Sequence, residues 1–298
     1  MIRSMVKNIR KVSAVSLAVA GILSFSYAAD KEVLNFGIIS TESSQNLRSN
    51  WQPMLDDMSE ELGIEVKPFF ASDYAGVIQG MRFGKVDIAW YGNKSAMEAV
   101  DRASGEVFAQ VVYDDGTTGY KSYLITHVDN KDLNSVEDML AKAADLTFGN
   151  GDPNSTSGYL VLAYYVFGLN DVDANNIFKR TLKANHESNF MAVANKHVDV
   201  ATFNSNNWDA LVAKNSPLVE RVKIIWESPE ISSDPLVWRT DLPKELQNNI
   251  QTFFLTYGDN DDEKAILKNL TWSKFKESSN DQLIPTRELE KFKASRSQ

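Results

Sequence analysis

From residue 33 onward, apolar runs with strand character alternate with stretches whose apolar positions recur at helical spacing. Val33 to Ile39, Ile64 to Phe70 and Val86 to Trp90 read as strands, with helices around Trp51 to Leu62 and Tyr74 to Phe83 between them. Such alternation predicts an α/β fold with a largely parallel sheet. The series then recurs. Leu34-Asn35-Phe36-Gly37 returns as Leu146-Thr147-Phe148-Gly149, and Lys85-Val86-Asp87-Ile88-Ala89 as Lys196-His197-Val198-Asp199-Val200-Ala201, with Leu34 to Leu146 and Asp87 to Asp199 both 112 positions apart. Two matches at one offset predict two lobes with a similar β-α-β-α-β core. The repeated Asp87 and Asp199 suit packing in each lobe better than a single ligand.

The same offset pairs Tyr74, at the start of one helix, with His186, at the start of its counterpart. Ligands of open parallel sheets sit beyond the carboxyl ends of the strands, near helix N-termini. Two facing lobes would therefore enclose a ligand between Tyr74 and His186. Gly116-Thr117-Thr118-Gly119, before a strand from Tyr120 to Ile125, marks an outward crossing between lobes, and Glu227-Ser228-Pro229 with Ser232-Ser233-Asp234-Pro235 marks the return. The remaining C-terminal part rejoins the first lobe. It holds a helix from Pro243 to Tyr257 whose stripe of Leu246, Ile250, Phe253, Phe254 and Tyr257 reads as core, with Gly258 as its stop.

The strongest local signal is Gly149-Asn150-Gly151-Asp152-Pro153-Asn154-Ser155-Thr156-Ser157-Gly158, between a strand and the apolar helical run Tyr159 to Phe167. It puts Ser155, Thr156 and Ser157 at a helix N-terminus, where unpaired N–H groups and a partial positive charge let hydroxyls surround an oxyanion without a lysine. The competing interpretation is an ordinary N-cap, with one serine capping and the other hydroxyls solvated. A phosphate-binding P-loop is excluded, since the Gly-Lys-Ser/Thr ending is missing. His186 is placed to donate to the same anion, although a histidine taken alone is more often satisfied within the protein or exposed. Tyr74 and Tyr120 each bring a hydroxyl, although a single tyrosine at such a position more often packs than touches a ligand. Asp234, in the returning turn, either meets a ligand cation or caps the turn.

The 298-residue chain has 31 Lys and Arg against 40 Asp and Glu, no cysteine and three histidines, a net charge of −9. That acidity argues against nucleic acid or an anionic membrane as partner. The absence of cysteine removes disulfides, thiolate metal sites and cysteine nucleophiles, and no metal or cofactor is expected. An enzyme would have to use Ser155, His186 and Asp234 as nucleophile, base and orienter, without a Gly-x-Ser-x-Gly elbow to support it; no catalytic residue is assigned.

Arg3, Lys7, Arg10 and Lys11 precede a mostly apolar run from Val12 to Phe25, and Ser26-Tyr27-Ala28 supplies the small residues of a cleavage site after Ala28. The 14-residue run, at ~1.5 Å per residue, falls short of the ~30 Å hydrocarbon core. Residues 1–28 are thus expected to be a signal peptide and the mature chain free, soluble and periplasmic, at a net charge of −13.

The runs Leu34 to Ser43, Asp73 to Gly76, Gln79 to Phe83, Lys85 to Gly92, Leu146 to Gly158 and Asp234 to Arg239 resemble, together, the phosphonate-binding subunit of bacterial ABC phosphonate importers. The resemblance covers most of residues 33 to 290. It implies an α/β, two-lobed periplasmic binding protein of class II type, each lobe a mixed, mostly parallel sheet flanked by helices, with the ligand in the interlobe cleft. The expected organisation is 29–118 with 230–298 as a discontinuous first lobe and 119–229 as the second. The function implied is capture of phosphonates, such as 2-aminoethylphosphonate or alkylphosphonates, and delivery to the membrane subunits of an ABC permease. Ser155, Thr156 and Ser157 would hold the phosphonate group, with Tyr74, Tyr120 and His186 closing over it. Asp234 matches one of two acidic positions that take a ligand ammonium in aminophosphonate binders. The other falls on Asn206, which departs from the pattern. Longer relatives continue into a polar helical tail that can serve association, so a monomer is expected here. The same fold loaded with phosphite, phosphate or a sulfonate, a secreted serine hydrolase and a sensory module are the rival readings.

Overall fold

The computed structural model describes residues 32–296, so the segment read as a signal peptide lies outside the described residues. The chain begins with β1 (Val33–Ile38), α1 (Ser44–Leu62), β2 (Glu65–Phe70), α2 (Tyr74–Arg82), β3 (Ile88–Trp90), α3 (Asn93–Arg102) and β4 (Gly105–Tyr113). Helix α1 starts earlier than the expected Trp51. Leu47 lies one turn ahead of Trp51 and extends its buried stripe, and the Ser43 hydroxyl accepts the Asn46 N–H at 3.2 Å as an N-cap.

The chain then passes through β5 (Gly119–Tyr120) into β6 (Ser122–His127), α4 (Val136–Lys142), β7 (Thr147–Asn150), π-helical turns at Thr156–Leu160 and Ala163–Gly168, α5 (Ala174–Ile177) and β8 (Arg180–Lys183). Next come α6 (His186–Ala194), β9 (Val200–Asn204), α7 (Ser205–Ala213) and β10 (Val222–Glu227). It returns through β11 (Ile231–Ser232) to β12 (Pro235–Arg239), α8 (Lys244–Thr256), α9 (Asp261–Asn269), β13 (Trp272–Glu277) and α10 (Ile284–Arg296).

Two mixed sheets result, with strand orders β13-β4-β12-β3-β1-β2 and β10-β6-β9-β7-β8. In the first, β1 pairs parallel with β2 and β3, while β12 is antiparallel to β3 and β4 and β13 antiparallel to β4. Strands β1 to β4 therefore run one way, and the two that arrive after the return run the other. In the second sheet β7 is parallel to β8 and β9, and only β6, which enters from the crossing, opposes the rest.

The duplication read from the sequence extends to individual hydrogen bonds. Helices α2 and α6 are both nine residues long and begin 112 positions apart. Asp87 Oδ2 accepts the Asn35 N–H at 2.9 Å, and Asp199 Oδ2 accepts the Thr147 N–H at 2.7 Å, so each carboxylate ties the approach to the third strand of its unit to the first strand. A Cβ on Gly37 would lie 2.6 Å from Val77, and one on Gly149 2.7 Å from Asn189, its equivalent. These glycines let helix and strand approach closely.

The expected strand from Tyr120 to Ile125 is broken at Lys121, whose N–H and C=O are both taken by Ser205, at 3.0 and 2.9 Å. The break frees β5 to pair with β11, Tyr120 opposite Ile231, as a two-stranded antiparallel sheet joining the two larger ones. Both crossings thus run side by side.

The stripe of α8 is core, as its spacing predicted, with Ile250 and Phe254 fully buried. Phe254 packs at 4.9 Å from Phe275 and 5.7 Å from Phe108, which stacks on Trp238 at 4.1 Å. Trp51, Trp90 and Trp272 form a second aromatic knot at 5.3 to 5.9 Å, just beneath the cleft. Phe148, Phe167 and Phe178 centre the core of the other sheet. The last helix touches both halves: Arg287 pairs with Asp101 of α3 at 2.7 Å, and Phe292 meets Tyr164 of the π-helical stretch edge-on at 4.6 Å.

Candidate phosphonate-binding site

All eight residues singled out in the sequence, Tyr74, Tyr120, Ser155, Thr156, Ser157, His186, Asn206 and Asp234, line one cavity of about 80 Å³ between the two large sheets. The cradle is built by the turn after β7. Ser155 is the N-cap of the first π-helical turn, its hydroxyl accepting the Gly158 N–H at 3.0 Å. The other two hydroxyls are not solvated, as an ordinary cap would leave them: Ser155, Thr156 and Ser157 are 3%, 2% and 2% exposed. The turn closes through Gly151, whose N–H donates to the Gly158 carbonyl at 3.0 Å; a Cβ there would lie 2.4 Å from that oxygen. The expected helix from Tyr159 to Phe167 is π-wound rather than α-helical, with the Leu160 N–H bonding to the Ser155 carbonyl at 3.2 Å. Bonds that span five residues leave one more N–H at the helix start without a carbonyl than an α-helix does.

Tyr74 and His186 are the first residues of α2 and α6, as the offset predicted. His186 is buried, its Nδ1 has no hydrogen-bond partner, and burial lowers its pKa to about 4. The ring is neutral at pH 7. Burial likewise pushes the Tyr74 and Tyr120 hydroxyls well above the usual range, so both remain donors. Asp234 follows β11 and faces Tyr120. Its Oδ1 lacks a partner, and burial raises its pKa to about 7. Two buried polar atoms on opposite walls of one cavity are thus unsatisfied, an expensive arrangement unless a ligand completes it. A nucleophile, base and orienter chain is not formed, since His186 and Asp234 do not bond to each other.

The model of the phosphonate-specific periplasmic substrate-binding proteins of ABC transporters matches residues 36–283. The chain belongs to this family. It is 56% identical over 273 residues to the phosphonates-binding periplasmic protein of Escherichia coli, covering 91% of this chain and 80% of that one. The crystal structure of a binding-protein component of an ABC phosphonate transporter from Pseudomonas aeruginosa superposes with a TM-score of 0.87 at 59% identity, over 90% of this chain and 88% of that one. A Prochlorococcus marinus protein solved in complex with methylphosphonate shares the fold, with a TM-score of 0.78 at 23% identity, over 87% of this chain and 97% of that one. The protein is a periplasmic phosphonate-binding component of an ABC transporter and not an enzyme.

Several residues in or packed against this binding protein's cavity escaped the sequence reading. Tyr113, at the end of β4, accepts a hydrogen bond from the Asn206 side-chain amide at 2.7 Å, and its ring meets Tyr120 edge-on at 6.4 Å. Trp90 lines the cavity with a buried, unpartnered Nε1. Glu42 stands at the rim, its carboxyl pushed up by burial and partly held down by Lys214 across the cleft. A signal for Trp90 existed, since it ends the strand read from Val86 to Trp90 within the Lys85 to Gly92 run. Tyr113 and Glu42 carry none, because what makes them part of the site is the approach of the other lobe. No helix among the described residues is long and apolar enough to cross a membrane.

Proposed function

We propose that Ser155, Thr156 and Ser157 hold the phosphonate group, that Tyr74, Tyr120 and His186 complete its donor shell, and that Asp234 and Asn206 face its substituent. The unpartnered, buried His186 Nδ1 and Asp234 Oδ1 in one cavity carry this reading. The lobes, 29–118 with 230–298 and 119–229, close about the paired crossings Gly119–Tyr120 and Ile231–Ser232. Removal of residues 1–28 releases the mature chain to the periplasm, where it hands its ligand to the membrane subunits of an ABC permease. A monomer suffices, because both walls of the cavity come from one chain. The volume of about 80 Å³ favours small ligands, and phosphate and phosphite fit the same description.

Thermal unfolding against 2-aminoethylphosphonate, methylphosphonate, ethylphosphonate, phosphite, phosphate and taurine tests the reading. A ligand at 100 times its Kd adds about 2.7 kcal/mol, which at about 2–4 °C per kcal/mol is a shift of roughly 5–10 °C. The largest shifts are expected with phosphonates. A shift with phosphate and none with any phosphonate would move the assignment to the inorganic anion.

Asn206 sets the rank within the phosphonates. Its amide donates to Tyr113, leaving a neutral oxygen where an acidic residue would offer a charge. Charge-assisted hydrogen bonds are roughly twice as strong as neutral ones. Asn206→Glu is therefore expected to raise the affinity for 2-aminoethylphosphonate relative to methylphosphonate by roughly tenfold. Calorimetric titration with both ligands reads the ratio, and an unchanged ratio rejects this role.

A further inference from the structure

The Gly149 to Gly158 run contains a carboxylate that the cradle does not use, Asp152, and α6 carries another, Glu187, beside His186. Both reach across the cleft to helix N-termini of the first lobe. Asp152 Oδ2 accepts the Tyr74 N–H, at the first residue of α2, at 3.1 Å, while its Oδ1 accepts the Asn154 N–H of its own loop at 2.7 Å. Glu187 Oε2 accepts the Ser43 N–H at 2.6 Å, and its Oε1 accepts from the Asn46 side-chain amide at 2.7 Å. The Glu187 N–H donates in turn to the Thr41 carbonyl at 3.2 Å.

The two helices differ in what they lack. In a capping box, a Glu or Gln at the third helical position accepts the N–H of the N-cap residue. Helix α1 has Asn46 there, too short for that role, and Glu187 of the other lobe supplies the missing carboxylate. Helix α2 has its own N-cap, Asp73, which takes the Gly76 N–H at 2.8 Å, but its first N–H is left for Asp152. These contacts exist only while the lobes are together.

We infer that Asp152 and Glu187 are positioning residues that set the closed fraction of the cleft, and through it the affinity for every ligand, by capping α2 and α1 of the opposite lobe. Apparent affinity scales with the fraction of molecules in the binding-competent state, so a change in closure moves all ligands together. The inference rests on the cleft being the phosphonate site. It also fixes a sign. A carboxylate beside an anion site repels the anion, so on charge alone its removal would tighten binding; loss of a closing contact weakens it.

The absence of cysteine allows Lys67→Cys and Lys183→Cys, on exposed positions of β2 and β8, to carry one spin label per lobe. Interlobe distance is then followed against methylphosphonate and 2-aminoethylphosphonate. Glu187→Ala and Asp152→Ala are expected to raise the half-closing concentration of both ligands by a common factor of about 3 to 30, the range set by loss of one cap. Glu187→Gln, whose amide oxygen still accepts the Ser43 N–H, recovers part of it. Closure of the alanine variants at the wild-type concentration or below, or a change in the ratio between the two ligands, overturns the inference. A wild-type protein that closes on neither phosphonate removes instead the assignment of the cleft on which the inference stands.

Discussion

Thr156→Val is expected to weaken phosphonate binding by roughly 30- to 1,000-fold, because it removes two hydrogen bonds at about 1–2 kcal/mol each from a dry site. The Thr156 hydroxyl accepts the Lys94 N–H, at the second residue of α3, at 2.9 Å. Its lone pair is thereby engaged with the first lobe, which leaves its own hydrogen to donate to an oxyanion. Helix α3 has Gly92 as N-cap and no side-chain cap of its own. A Cβ on that residue would lie 3.1 Å from Thr156 Oγ1. Valine keeps the shape of threonine, strands the Lys94 N–H whenever the cleft closes, and leaves a ligand oxygen without its donor. Thr156→Ser keeps both bonds and is the control. Calorimetric titration with methylphosphonate at fixed pH reads the loss, and circular dichroism of the empty protein confirms that the fold is kept. A loss smaller than threefold in the valine variant would place the anion elsewhere.

What could be read from the sequence was whatever the chain decides locally or repeats. The 112-residue offset carried the two sheets, the structural Asp87 and Asp199, and the equivalence of Tyr74 and His186, because each depends on one β-α-β-α-β unit folding in the same way twice. The three hydroxyls were legible because a helix start following a strand is a local event. The π-winding after Ser155 was not: Tyr159 to Phe167 is almost wholly apolar, so its pattern holds no period to separate one helical pitch from another. Contacts made only by closure left no local trace. Asp152 to Tyr74 spans 78 positions and Glu187 to Ser43 spans 144, and neither partner's neighbours in sequence announce the other. The pairing of β5 with β11 was hidden for the same reason, since two residues on each side are too few for a strand pattern.

Asp234→Asn is expected to shift the preference of the site from 2-aminoethylphosphonate toward methylphosphonate. In the closed cleft the carboxyl is buried with Oδ1 unpartnered, and its pKa stands at about 7 against the ordinary value of 3.8. With the pKa raised, the contribution of this group to the closed form is fully present below the ordinary value. It is lost as pH rises through about 7. Above that pH, closing on methylphosphonate buries an unpaired negative charge or takes up a proton, and either costs affinity. The asparagine variant carries no such penalty. It is therefore expected to bind methylphosphonate more tightly than wild type at pH 8, by about 10- to 1,000-fold, since each unit of pKa shift is a factor of ten in the coupled equilibrium. At pH 5 the wild-type carboxyl closes protonated and the advantage shrinks towards the tenfold end. For 2-aminoethylphosphonate the sign reverses. The ligand ammonium pairs with the ionised carboxylate, and replacing that partner by an amide costs about 2–4 kcal/mol in a buried site. Titrating both ligands against both proteins at pH 5 and pH 8 isolates the group, because the ionisation of the phosphonate itself cancels in the ratio of wild type to variant. Methylphosphonate affinities that change in parallel with pH in the two proteins would show that Asp234 remains hydrated in the complex. The ammonium role would then fall to another acceptor on the cavity wall.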